Sequence, residues 1–246
     1  MKIITYGEKD RKNVLLLHGG GLGPWSMETL AASLSEVYRV YVPFLPGHAG
    51  SDASFVSIEE TAKDLIRIID KHMDGSVFLV MGLSLGADIA LEILSRRPEI
   101  AEHAIIESAN VVPSRFPRLF LKYSIKLSFP LTRKKWFARI QFDNLKLPEE
   151  MFEKYLESTS NMKERDAERF ILAARKYRLG EGIRRTNTDV HIVVGEKENR
   201  DILNSANLID IAIPSSTLHR IPELYQGEAS MKMHPAFMRI ILGLED

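Results

Sequence analysis

Short runs of Val, Ile and Leu alternate with longer amphipathic stretches along most of this chain. The apolar runs are VLLLHG at 14–19, YRVYVP at 38–43, SVFLVMG at 76–82 and HAIIES at 103–108, each bounded by turn residues. Unbroken apolar runs this short read as strands buried on both faces, as in a parallel sheet, and the amphipathic stretches between them read as crossover helices. Helices are predicted over about 26–35, 57–72 and 85–97; Ser57 and Glu60 open the second at capping-box spacing, and Pro98 stops the third. From 111 to 188 the rhythm breaks, with no strand pattern and with helical stretches such as LPEEMFEKYLES and ERDAERFILAARKYR. It resumes with DVHIVVGEK at 189–197, a helix near 201–212, STLHRI at 216–221 and a closing helix at 235–244. The pattern predicts an α/β fold: a mostly parallel central sheet with helices on both faces, built from 1–110 and 189–246, and a helical cap inserted at 111–188.

Composition narrows the partners. The 246 residues are 45% apolar and 27% charged, as a globular domain requires, and 33 basic side chains balance 33 acidic ones. No global field therefore draws the chain to nucleic acid or to an anionic membrane. The absence of cysteine excludes disulfides, thiolate catalysis and zinc–thiolate sites, and it suits a reducing compartment. The opening MKIITYGEKDRK turns polar too soon for a signal peptide or a membrane span, so the expectation is a soluble, cytoplasmic protein without stable membrane insertion. No residue cluster implies a metal or an organic cofactor.

The chemistry centres on GLSLG at 82–86, which follows a predicted strand and opens a predicted helix. A serine nucleophile needs that context, because its hydroxyl must protrude from a tight turn whose neighbours two residues away lack bulk. Ser84 is the candidate nucleophile, with Gly82 and Gly86 as those neighbours. Upstream, the first long strand ends in His18, Gly19, Gly20 and Gly21. Glycines after a strand let backbone N–H groups approach an oxyanion, and the amides of Gly20 and Leu85 are the candidate donors. His18 reads as structural.

The order of these motifs resembles the α/β-hydrolase superfamily, particularly its compact serine esterases, lipases and iminopeptidase-like enzymes. The markers are HGGG at 18–21, PFLPGHAGSD at 43–52, GLSLG at 82–86, VVGEKE at 193–198 and IPELYQ at 221–226. Phe44 and Ala49 depart from the family's usual Asp and Gly. The resemblance implies the chain order Ser, acid, His, and it places Glu198 in the acid slot, with Glu196 and Asp201 as rivals. The slot for the base falls on Gln226. A carboxamide has no basic nitrogen, so Gln226 could bond to the serine hydroxyl without taking its proton. His234, directly before Pro235, is the alternative base, and His219 and His48 are weaker ones.

The cap opens with SRFPRLFLKYSIKLSFPLTRKKWFARIQF at 114–142, which holds Arg115, Arg118, Lys122, Lys126, Arg133, Lys134, Lys135 and Arg139 and no acid. Its Phe116, Phe120, Phe129, Trp136 and Phe137 are candidates to line an apolar pocket over Ser84, which would favour acyl groups with an anionic end; solvated amphipathic helices explain the same pattern. Two functions remain open: a serine hydrolase acting on a small carboxylic ester or related acyl substrate through an acyl-enzyme, or a hydrolase-like protein that binds a small ligand with impaired turnover. An engineered His-to-Gln exchange at 226 would leave the same sequence as the second.

Overall fold

The computed structural model describes residues 1–113 and 117–245. Arg115 and Phe116 of the basic stretch, and the side chain of Arg118, lie outside the described residues.

Seven strands form one sheet in the order β1-β3-β2-β4-β5-β6-β7. The apolar runs become β2 (Asn13–Leu17), β3 (Arg39–Pro43), β4 (Val77–Leu83), β5 (Ala101–Glu107), β6 (Asp189–Gly195) and β7 (Ser216–Ile221), all parallel. Every residue of β4 is buried, as expected for the central strand of a sheet covered on both faces. β1 (Ile3–Tyr6) pairs antiparallel with β3 and has no counterpart among the predicted strands. Its four residues, three half-buried and Thr5 exposed, are too few to show a period.

Helices cover both faces. On one, α2 (Ile58–His72), α3 (Leu85–Arg96) and α8 (Arg200–Ala212) pack their apolar sides on Leu15, Val80, Ile106 and Ile192. On the other, α1 (Glu28–Leu34), the short α9 (Glu228–Met231) and α10 (Pro235–Leu242) cover Leu16, Met81, Ile105 and Val193. The Ser57 hydroxyl accepts from the Glu60 amide at 3.2 Å, satisfying one of the donors that the start of α2 leaves unpaired.

Between β5 and β6 the chain forms α4 (Arg118–Ser128), α5 (Lys135–Asn144), α6 (Phe152–Ser160) and α7 (Glu164–Ala174). These helices share the two cores: Ala167 and Phe170 of α7 join one, and Phe142, Phe152 and Tyr155 of α5 and α6 join the other. Polar ties add direction. The buried Asp166 carboxylate accepts from the Phe55 amide at 3.1 Å, Arg169 donates to the Phe55 carbonyl at 3.1 Å, and the Trp25 indole donates to Ser158 at 2.7 Å. Several cations of the basic stretch are paired, Lys122 with Glu168, Lys135 with Glu153 and Arg139 with Glu149. Among the described residues no helix is long and apolar enough to cross a membrane.

Candidate active site

Ser84 sits between the end of β4 and the start of α3 with φ 53° and ψ −113°, a strained backbone that a non-glycine residue adopts only when its surroundings force it. The surroundings do. The Ser84 amide donates to the Glu107 carbonyl at 2.8 Å, and its own carbonyl accepts from the Asp88 amide at 2.9 Å. A Cβ on Gly82 would collide with the carbonyl of Gly86, and one on Gly86 would collide with the carbonyl of Leu17. Both glycines are therefore required by close backbone approach, and together they let the turn close tightly enough to lift the hydroxyl clear of the sheet.

Gly20 lies beside Leu85, so that a Cβ built on it would touch the Leu85 Cβ at 3.5 Å. Leu85 is the first residue of α3, where the helix leaves an amide without an internal partner. Gly20, Ser84, Leu85 and Gln226 line a common pocket of about 600 Å³, which Phe170, Ile171 and Arg175 border from one side and Asn199, Arg200 and Asp201 from the other. A second, apolar pocket of about 120 Å³ opens from the same serine between Leu22, Leu145, Leu147 and Met231. Among the described residues the aromatic wall of the larger pocket is Phe170 of α7. Of the five aromatics expected from 114–142, Phe129 is buried in the core, Phe120 and Trp136 face solvent, Phe137 does not line either pocket, and Phe116 lies outside the described residues. The solvated-helix explanation fits the exposed Phe120 and Trp136, and the pocket wall comes instead from α7, the helix that packs over the elbow.

Glu198 is buried in the turn after β6. Its Oε1 accepts from the Ser108 hydroxyl and from the Gly195 amide, both at 2.8 Å, while Oε2 is buried without a partner. Burial raises its carboxyl to about 7 against those two hydrogen bonds. Of the two rivals, Glu196 is exposed, and Asp201 lies at the pocket rim under the Asn199 cap. The loop after β7 lies against this turn, since the Leu224 carbonyl accepts from the Lys197 amide at 3.0 Å. From that loop the Gln226 Nε2 donates to the Ser84 Oγ at 3.0 Å. The position opposite the serine is thus filled by an amide, which donates a hydrogen bond to the hydroxyl and has no basic nitrogen to take its proton.

The histidines lie elsewhere. His234 is the cap of α10, its Nδ1 accepting from the Ala236 amide at 3.2 Å, and it lines neither pocket at Ser84. His18 is fully buried, with Nδ1 on the Gly19 carbonyl at 3.0 Å and Nε2 accepting from the Leu45 amide at 3.3 Å; burial lowers it to about 3, which keeps it neutral. His48 is lowered by burial to about 4 and stacks on Phe170 with ring centroids 4.6 Å apart. His219 lies within β7, against His191.

Two residues were not anticipated. Glu107, at the end of β5, is buried, its Oε1 accepting from the Ser230 amide at 3.2 Å, and burial followed by the nearby Glu198 charge raises it to about 7. Ser108, with φ 55°, turns its hydroxyl onto Glu198. The available signal was an acid closing the run HAIIE, a charge where a buried strand ends.

An elbow serine at the edge of a parallel sheet, with an acid turn and a further loop converging on it, defines the architecture of the α/β hydrolases. The chain belongs to the alpha/beta hydrolase family, whose model matches residues 14–240. It is 37% identical over 89 residues to a pimeloyl-[acyl-carrier protein] methyl ester esterase of Aromatoleum aromaticum, covering 36% of this chain and 34% of the relative. It is 34% identical over 99 residues to the magnesium-chelatase 30 kDa subunit of Rhodobacter capsulatus, covering 39% and 34%. The chain thus matches only about a third of the length of these relatives. An esterase from Exiguobacterium antarcticum shares the fold, with a TM-score of 0.82 at 19% identity over 99% of this chain and 96% of that one.

Proposed function

We propose that this protein binds a small carboxylic ester or related acyl compound at Ser84 and turns it over only slowly, because its serine-hydrolase site lacks a base. The observation that carries this reading is the 3.0 Å hydrogen bond from Gln226 to Ser84. In the reading, Ser84 is the acyl acceptor, the Gly20 and Leu85 amides hold the oxyanion, and residues 111–188 act as the cap. Glu198 keeps the free oxygen that an imidazole at 226 would use. Preorganised donors and binding alone leave roughly 10³-fold to 10⁴-fold acceleration over water. The two pockets divide the ligand, an apolar group of a few carbons in the smaller and a polar part in the larger. Arg175 and Arg200 stand at the larger rim against Asp201, while burial pushes the Asp88 carboxyl well above its ordinary range, so the balance favours an anionic end.

A second reading, a working esterase, is favoured by the strained elbow that presents Ser84 to both pockets. A fluorophosphonate probe and p-nitrophenyl acetate separate the two. The first reading expects slow labelling that Ser84→Ala abolishes, and a gain of about 10²-fold or more in Gln226→His. Rapid Ser84-dependent turnover by the unaltered protein, with no gain in Gln226→His, would establish the second. Labelling that survives Ser84→Ala would defeat both.

A further inference from the structure

At the amino-terminal end of the parallel strands, opposite Ser84, three histidines and an aspartate meet on one face of the sheet. The register sets this up: His103 of β5 lies beside Asp189 of β6, and His191 follows two residues later on the same face. On the next strand Thr217 lies beside His191, which puts His219 on that face as well. The Asp189 Oδ2 is 3.0 Å from the His103 Nδ1 and 2.9 Å from the His191 Nε2, and the three ligand atoms all lie within 4.8 Å of one another. Behind them the His191 Nδ1 is 3.0 Å from the His219 Nε2, with the rings stacked at 5.2 Å. The Phe78 ring closes one side, edge-on to His103 at 5.0 Å.

We propose that His103, Asp189 and His191 form a binding site for a divalent transition-metal ion, with His219 as the group that orients His191. Two imidazole nitrogens and a carboxylate oxygen are donors that zinc and its first-row neighbours take. A tetrahedral ion with bonds of about 2.0–2.1 Å holds its ligand atoms about 3.3–3.5 Å apart, so the two close pairs need to open by only a few tenths of an ångström. The His191 Nε2 must present its lone pair to the ion, which requires the proton on Nδ1, and the His219 Nε2 is placed to accept it. The side chains of His103 and His191 keep 19% and 17% of their surface, and Asp189 46%, so an ion can enter from solvent and retain water at its open position. Bound there, the ion joins β5 to β6 far from the serine.

Titration of the full chain with zinc by calorimetry, and with cobalt by visible absorbance, tests the site. One saturable equivalent is expected, with a cobalt spectrum showing nitrogen and oxygen ligands. Asp189→Asn and His191→Ala should each weaken zinc binding about 100-fold or more, and His219→Ala about 10-fold, in keeping with the role of an orienting partner. His72→Ala, on the exposed end of α2, should change nothing. Fluorophosphonate labelling of Ser84 should be the same with and without zinc. No saturable uptake of either ion by the unaltered protein would overturn the proposal, a result that depends on no variant folding. So would uptake that survives His191→Ala in a protein with unchanged circular dichroism, or uptake that His72→Ala reduces equally.

Discussion

The two ends of the sheet make opposite use of the same scaffold. At the carboxyl end a serine is held in a strained turn with every surrounding loop in position, and the residue facing it is an amide. At the amino end two imidazoles, His103 and His191, share the Asp189 carboxylate, and a third, His219, lies within hydrogen-bond reach of His191. The difference teaches that the fold fixes positions more strictly than it fixes chemistry. Backbone contacts at Gly82, Gly86 and Gly195 hold the elbow and the acid turn in place whichever side chain stands at 226. On the reading proposed above, the site keeps its geometry without the basic atom type that turnover needs.

The largest effect should come from restoring that atom type. In the Gln226→His background, p-nitrophenyl acetate hydrolysis should rise as described, and adding Glu198→Gln should remove most of the gain, about 10²-fold to 10⁴-fold, because a neutral amide cannot stabilise an imidazolium. If Glu198→Gln leaves the gained rate intact, Glu198 is not the orienting acid. Next in size, Gly86→Val should cost about 4 kcal/mol or more, seen as a large fall in the thermal midpoint, since its side chain meets the Leu17 and His18 carbonyls. A midpoint within a few degrees of the unaltered protein would show that the elbow relaxes.

A third effect depends on pH. The folded chain keeps the Glu198 proton up to about 7, against 4.5 for the unfolded chain, so this carboxyl adds stability that is fully present below about pH 4.5 and is lost as pH rises through 7. His18 and His48, lowered to about 3 and 4, act the other way, adding stability above their ordinary value that is lost as pH falls. Comparison of the unaltered protein with Glu198→Gln by urea unfolding cancels the histidines. The advantage of the unaltered protein should shrink by about 3 kcal/mol between pH 4.5 and 7.5. A difference that stays flat with pH would show that Glu198 ionises normally. Smallest, His234→Ala should cost about 1 kcal/mol through the lost cap of α10 and leave Ser84 labelling unchanged. A fall in labelling would return His234 to the active site.

Much of the carboxyl end was legible in the sequence, because its signals are local. The apolar runs, the glycines flanking Ser84 and the spacing from Ile221 to Gln226 each fall within a few neighbouring residues. The amino-end cluster was not legible, since His103 and Asp189 are 86 residues apart and meet only through strand register. Phe170 was missed for a related reason: which helix of 111–188 lies over the serine is decided by packing against Gly20 and His48, and no periodicity reports that. β1 escaped because a four-residue edge strand owes its form to β3 and carries no pattern of its own.

The ties from Asp166, Arg169 and Trp25 have a consequence for traffic through the site. They fasten α7 to the loop at 54–55 and α6 to Trp25, so moving these helices outward as one piece would first break those three bonds. Arg175, just past the end of α7, thereby keeps its place at the border of the larger pocket, which it shares with Arg200.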